Sequence, residues 1–330
     1  MDCRITYSPL YLAVVLTKPA HLVLFGVAFF LCVGRSSADS EPNKLGAVYL
    51  SLGDLENPYF MQIARGAEAK AKQINPAVKF TAEANNYDSG TQIKQLDAAI
   101  AAGANLIILN AVDSGAVAPS IQKAKAAGIK VVGIAQPFPL NVDHAVVSDQ
   151  RQAGQLDANY IAKRLNGQGN IVIVNGPPVP AVQERVAGFV DAIGAFPNIK
   201  ILSRDQSGNA SREGGLRVMA DLLAAYPKID SVFAVNDPTA LGCDAAARQA
   251  KRNEFFIVGI DGGPDIVAAL KDTGSLIAAT AAEDPALLGS SAVEIGYAIL
   301  SGNPPEGQLT KIPVTLITRE NVAEYKGWAK

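Results

Sequence analysis

The sequence predicts an α/β protein made of two similarly wired lobes, each a parallel sheet covered by helices on both faces. Three observations carry this. Apolar runs such as 106–109 and 232–235 are continuous rather than alternating, as strands buried on both faces require. They alternate with longer helix-period segments nearly to the end of the chain, which is the signature of crossover-connected parallel strands. The spacing also repeats. Asn110 to Ala135 and Asn236 to Asp261 are 25 residues each (135 − 110 and 261 − 236). Asn57 precedes Asn110, and Gln183 precedes Asn236, by 53 residues each (110 − 57 and 236 − 183). Internal repetition of this kind points to one wiring used twice, against the alternative of ordinary βα units that match by chance.

Residues 1–38 read as a secretory leader outside the fold. Arg4 and Lys18 precede an apolar core at 22–33, and Ser36-Ser37-Ala38 places small residues at a cleavage point. Twelve apolar residues fall short of an ordinary membrane span, although the apolar stretch 11–16 keeps an uncleaved anchor open. Cys32 follows Phe30-Leu31 without the small residues of a lipoprotein site, so no lipid anchor is expected. Strands follow at 47–52, 78–82, 106–109, 131–134 and 145–147, with helices at 58–74, 91–102 and 116–127. The second array has helices at 151–165, 181–195, 212–226, 239–250, 265–271 and 285–300. Its strands are 171–174, 200–203, 232–235, 256–260, 276–279 and 314–318. Short crossings between lobes are expected near Ser148-Asp149 and Glu283-Asp284.

Composition excludes several classes. The whole chain carries a net charge of −2 and the leader +2 (Arg4, Lys18 and Arg35 against Asp2), so residues 39–330 carry −4. A mildly acidic chain without a basic run is not expected to bind nucleic acid. Beyond the leader stand one histidine, His144, and one cysteine, Cys243, so neither a disulfide nor a transition-metal site is expected. His144 beside Asp143 reads as a surface loop residue, and Cys243 as a small buried hydrophobe. No glycine-rich dinucleotide or phosphate cradle and no nucleophile elbow occur, so no cofactor is expected and an enzyme is disfavoured.

Two stretches carry candidate binding groups. Asn236 and Asp237 end a buried strand just before Pro238, a proline suited to a first helical position. Ligands of open α/β sheets bind at such strand ends. Asp237 reads first as an N-cap, and Asn236 is the better ligand candidate. Asn57-Pro58-Tyr59-Phe60 sets an amide and two aromatics at a helix start. Rings can pack on the apolar faces of sugars while amides and carboxylates take the hydroxyls, the alternative being that both rings are core.

These motifs together resemble the ribose/galactose-type periplasmic binding proteins, the soluble receptors of sugar ABC importers. The resemblance rests on residues 52–60 with Asn57-Pro58-Tyr59-Phe60, on Asn110-Ala111-Val112-Asp113-Ser114, on Asn236-Asp237-Pro238-Thr239-Ala240-Leu241-Gly242 and on Val258-Gly259-Ile260-Asp261-Gly262. It spans about residues 44–318 in order. It implies a type I periplasmic-binding-protein fold: two Rossmann-like lobes, three hinge crossings and a ligand cleft between them. The first lobe would be 43–148 plus 284–315, and the second 149–283 plus 316–330. Asn57, Tyr59, Phe60, Asn236 and Asp261 match the family's ligand contacts, and Asn110, Gln136, Gln183 and Glu283 complete the candidate set. A membrane permease is the implied partner and a monomer the expected state.

The departures from the ribose pattern bear on the ligand. Ala135-Gln136 stand where ribose binders have Asp-Arg, and Gln183 stands where they have Arg. Glu283 replaces a Gln at the third crossing, and the second lobe's aromatic aligns near Asn209-Ala210. Tyr87 and Phe138 are the aromatics left to supply that face. The aligned pocket is expected to hold Asp261, Glu283 and amides, and no arginine. Such a pocket suits a neutral sugar or sugar alcohol, or an amino sugar or other small polar ligand, better than an acid. A sensory or chemotaxis subunit is the alternative to transport. A DNA-binding regulator would need a helix-turn-helix where the apolar leader stands.

Overall fold

The computed structural model describes residues 45–136 and 141–328, all within one compact unit, Glu41–Lys330. The leader and Phe138 lie outside the described residues. A first sheet is entered through β1 (Ala47–Leu52), α1 (Pro58–Ile74), β2 (Lys79–Ala84), α2 (Ser89–Ala101), β3 (Leu106–Leu109), α3 (Ser114–Ala126), β4 (Lys130–Ile134) and β5 (His144–Ser148). The chain then builds a second sheet through α4 (Gln150–Arg164), β6 (Gln168–Val174), α5 (Pro180–Ile193), β7 (Asn198–Ser203), α6 (Arg212–Ala225) and β8 (Ser231–Ala234). That sheet continues with α7 (Asp237–Ala250), β9 (Phe256–Asp261), α8 (Pro264–Lys271) and β10 (Ile277–Ala282). Finally α9 (Pro285–Leu300) and β11 (Leu309–Ile312) return to the first sheet, and β12 (Thr315–Thr318) joins the second.

The two sheets have the same wiring. Their strand orders are β2-β1-β3-β4-β5-β11 and β7-β6-β8-β9-β10-β12. The last strand differs in direction: β11 runs parallel to β5, whereas β12 runs antiparallel to β10. The chain passes between the sheets three times, at 148–150, 283–284 and 313–314. The strand β11 was not anticipated, because Leu-Thr-Lys-Ile is an edge strand with exposed Leu309 and lacks a continuous apolar run.

Each central strand feeds two cores. In β3, Leu106 and Ile108 pack towards α1 and α9, while Ile107 and Leu109 pack towards α2 and α3. In β8, Val232 and Ala234 face one side of the sheet and Phe233 the other, with Val235 just beyond on Phe233's side. Burying such a side chain contributes about 1.5–3 kcal/mol, which is why both faces must be apolar. His144 is part of this interior rather than a surface loop. It opens β5, is 1% exposed and lies 2.9 Å from the Thr310 hydroxyl through Nε2. Cys243 is buried as expected, and burial pushes its thiol pKa up.

The βα turns are closed by polar caps. Side chains of Asn57, Asp88, Asp113, Asp149, Ser211, Asn236 and Asp284 accept backbone N–H groups at the starts of α1, α2, α3, α4, α6, α7 and α9. Each such cap contributes about 1 kcal/mol. Close helix pairs then set the angles. A Cβ on Gly154 of α4 would lie 2.0 Å from the Arg185 carbonyl, and one on Gly188 of α5 would lie 2.1 Å from that of Arg151. Only glycine permits this approach, and it brings Arg185 to the hinge end of α4.

Candidate binding site

The carboxyl ends of the strands and the first turns of α1, α5, α7 and α8 border a cavity of about 800 Å³. That is within the range of small-molecule sites. It is lined by Asn57, Tyr59 and Phe60 from the first lobe, by Asn236, Asp237 and Asp261 from the second, and by Glu283, which lies at the second crossing and not the third as expected, since the last passage is at 313–314. Six of the nine residues singled out from the sequence therefore meet at one place.

Three do not. Asn110 is 5% exposed, and its amide donates to the Ile134 carbonyl at 3.1 Å, so it ties β3 to β4. Gln136 and Gln183 are exposed and absent from the cleft lining. Gln183 sits in the first turn of α5, whose buried face carries Val182, Arg185 and Phe189 instead. Tyr87 is 60% exposed; it packs on the edge of Phe60 at 6.5 Å and does not line the cleft. Asp237 is not the N-cap of α7, since Asn236 takes that role by accepting from Thr239 N–H at 3.1 Å. The Asp237 carboxylate instead accepts the N–H groups of Gly262 and Gly263 at 2.7 and 3.0 Å and the Thr280 hydroxyl at 2.8 Å.

The expectation of a pocket without arginine is overturned by Arg185. Its guanidinium donates to the Gln150 side-chain oxygen at 2.6 Å, to the Val235 carbonyl at 2.9 Å and to Glu283 Oε1 at 2.7 Å, and pairs with Asp261 Oδ1 at 3.0 Å. Four of the five N–H donors of an arginine are thereby used inside the protein. The helical period was the available signal: Val182, Arg185 and Phe189 share one face, and the outer two are apolar.

Glu283 is the centre of the polar network and is 4% exposed. Its Oε2 accepts from the Tyr59 hydroxyl at 2.9 Å and the Ser148 hydroxyl at 2.7 Å, and its Oε1 from Gln150 and Arg185. The network thus joins α1, the first crossing, α5 and the second crossing. Burial, with Glu283 adding to it, raises the Tyr59 phenol well above its ordinary range and keeps it a donor.

The backbone is strained where the site is built. Asp261 has φ 137°, and Ala135, its counterpart in the first array, has φ 65°. Non-glycine residues in this region cost on the order of 1–3 kcal/mol and persist where the surroundings hold them. The turn after β2 holds Asn86 and Tyr87 at φ 52° and 58°, and the turn after β7 holds Asn209 and Ala210 at φ 52° each. The repeated spacing of the sequence is therefore a repeated backbone.

Three carboxyls have pKa values raised above the ordinary carboxylate range. Burial pushes Asp261 up to about 6, against the pull of Arg185. Burial and Asp261 push Asp237 up, and burial and Asp237 push up Asp157, whose two side-chain oxygens have no hydrogen-bond partner. A carboxyl whose folded pKa exceeds its unfolded value makes the native state bind more protons, so stability falls as pH rises through that window. The ligand-free protein is expected to melt at a higher temperature at about pH 5 than at about pH 8 by scanning calorimetry. A lower melting temperature at pH 5 would contradict the raised pKa values. The carboxylates with lowered pKa, such as Asp88 and Asp272, are exposed and screened, and so contribute little in the opposite sense.

A model of the periplasmic binding protein domain matches residues 48–304. The chain belongs to that family. The ribose import binding protein of Bacillus subtilis (strain 168) is 31% identical over 313 residues, covering 92% of this chain and 100% of that protein. The D-apiose import binding protein of Paraburkholderia graminis is 34% identical over 280 residues, covering 83% and 88%. Among solved structures, an ABC transporter periplasmic solute binding protein from Actinobacillus succinogenes 130z with bound D-allose superposes with a TM-score of 0.76. It is 25% identical, and the match covers 85% of this chain and 100% of that one. This family member shares with its relatives the two-lobed α/β architecture, and the cavity described above lies between its two sheets.

Proposed function

We propose that this chain is a periplasmic receptor that captures a neutral sugar or sugar alcohol by lobe closure and delivers it to an ABC import permease. Its role is binding, not catalysis, and export by the leader 1–38 brings it to the periplasm as a monomer. The observation that carries the ligand class is the joining of aromatic rings, amides and an accessible carboxylate in one cleft: Tyr59 and Phe60 against Asn57, Asn236 and Asp261. The names of the relatives, which bind ribose, D-apiose or xylitol, support the same class. Charge supports it too. Asp261, Asp265 and Glu283 line the cleft with Arg185 and Arg212, and Arg185 is already occupied by protein acceptors. An acidic ligand would meet an excess of carboxylates and no unengaged buried cation.

Hinge closure around ligand is a general behaviour of periplasmic binding proteins. A ligand shifts the open–closed balance only by binding the closed form better. Here the first-lobe Tyr59 and the second-lobe Arg185 already meet on Glu283, so the crossings at 148–150 and 283–284 lie directly behind the cavity. Closure makes a composite outer surface from both lobes, which a permease can read. The test is calorimetry with D-ribose, D-allose, D-apiose, xylitol and myo-inositol, followed by small-angle scattering with the best binder. One-to-one binding of at least one of them is expected, with D-ribose not the tightest because Ala135 stands where the ribose site has a carboxylate. The radius of gyration should fall on saturation. Silence across the panel, or an unchanged scattering profile with ligand proven bound, would overturn the reading.

A further inference from the structure

The segment that follows β12 returns to the cleft and places an aromatic ring there. Val322 is 4% exposed and packs, with Tyr325, into the core of the second lobe. The Tyr325 hydroxyl donates to the Gly262 carbonyl at 3.1 Å, which holds the segment beside Asp261. Three residues on stands Trp328, the only tryptophan of the chain. Its indole N–H donates to the Glu283 carbonyl at 3.2 Å. Its ring meets the edge of Tyr59 with centroids 5.3 Å apart and planes at 61°. The ring lies against Gly263, where a Cβ would stand at ordinary contact distance, 3.5 Å from Cζ3 of the indole. The ring borders both the cleft and a second cavity of about 280 Å³ behind the hinge. It is therefore the partition between them, with one side facing the ligand space.

The second lobe otherwise brings no ring to this space. Ala210 lines the cleft where a ring from the turn after β7 would stand, and the remaining lining from α5, α7 and α8 consists of Ala, Val, Pro, Leu, Ile and polar residues. We propose that Trp328 is the aromatic wall of the ligand cleft on the second-lobe side, taking an apolar C–H face of the sugar beside Tyr59 and Phe60. The assignment rests on the sugar-receptor reading and adds to it a residue supplied from outside the βα turns. The physical reason is that C–H faces of sugars gain dispersion and apolar burial against a ring, while the Trp328 N–H is already satisfied by Glu283 and needs no water. Because the ring touches Tyr59 of the first lobe, Glu283 of the crossing and Gly263 of the second lobe, its surroundings must change when the lobes close.

Excited at the red edge, where tyrosine does not absorb, intrinsic fluorescence reports on this ring alone. The same sugar panel is titrated into the full protein, with emission and calorimetry read side by side for wild type and calorimetry alone for Trp328→Phe and Trp328→Ala, which lack the emitting ring. The proposal expects wild-type emission to change saturably with the calorimetric midpoint. Trp328→Phe, which keeps a ring, should bind within a few-fold of wild type, and Trp328→Ala about tenfold or more weaker. Melting temperatures of the variants verify that weaker binding is not unfolding, and the Phe variant stays informative if the Ala variant is unstable. Calorimetric binding without an emission change, and with wild-type affinity in the variants, overturns the Trp328 assignment alone. Calorimetric silence across the panel in the wild type overturns the receptor reading and the assignment with it.

Discussion

Asp261→Ala is expected to weaken binding of the preferred sugar by about 100-fold or more while the protein stays folded. The carboxylate stands at the end of β9, and Arg185 holds it through Oδ1. It remains 21% exposed to the cleft, so it can accept from ligand hydroxyls. Hydrogen bonds to a charged acceptor contribute roughly 1.5–3 kcal/mol each, and a carboxylate can take two adjacent hydroxyls. The fold should tolerate the change for a specific reason. Arg185 keeps Glu283, Gln150 and the Val235 carbonyl, and Asp237 is relieved of a neighbouring negative charge. Calorimetry on the variant, with its melting curve alongside, decides the matter; wild-type affinity would remove Asp261 from the site.

Glu283→Ala should do more harm to the protein itself. It strips the acceptor from Tyr59, Ser148, Gln150 and Arg185 at once, and Ser148 and Arg185 are buried. Removing one partner of a buried ion pair costs about 3–5 kcal/mol, because the other charge is left without compensation. Glu283→Gln keeps an oxygen acceptor but loses the charge, so it should fall between wild type and Ala. The same order is expected for sugar affinity, since Tyr59 is positioned by this carboxylate. Urea unfolding gives the first ranking and calorimetry the second. Equal midpoints for the three proteins would show that the network does not hold the hinge together.

The strand ends were legible because they are local. Asn57, Asn236 and Asp261 follow apolar runs at repeated spacings, and a polar residue at the end of a buried strand has few places to go. Asn110 satisfied the same local rule and still left the site, because its amide is used on the Ile134 carbonyl of the neighbouring strand. Gln136 and Gln183 matched by alignment position alone, and their side chains are exposed. His144 was misread for a related reason. Its neighbours in sequence look like a loop, but β5 is covered on its far side by β11, a strand contributed from more than 160 residues later.

What the amino-acid sequence by itself determined is the fold class, the doubling of the array, and the polar strand ends, since burial on two faces and helical period are written in runs of a few residues. The tertiary structure alone decided which of those polar groups converge, and it added two: Arg185, whose burial the helical period signalled but whose place at the hinge it did not, and Trp328, which no local pattern announced. Arg185 reaches the hinge because Gly154 and Gly188 let α4 and α5 approach closely, and Trp328 reaches Tyr59 because the segment after β12 folds back over Gly262 and Gly263. Both depend on contacts between residues far apart in the chain, and such contacts are set by packing distances rather than by the identity of neighbours in sequence.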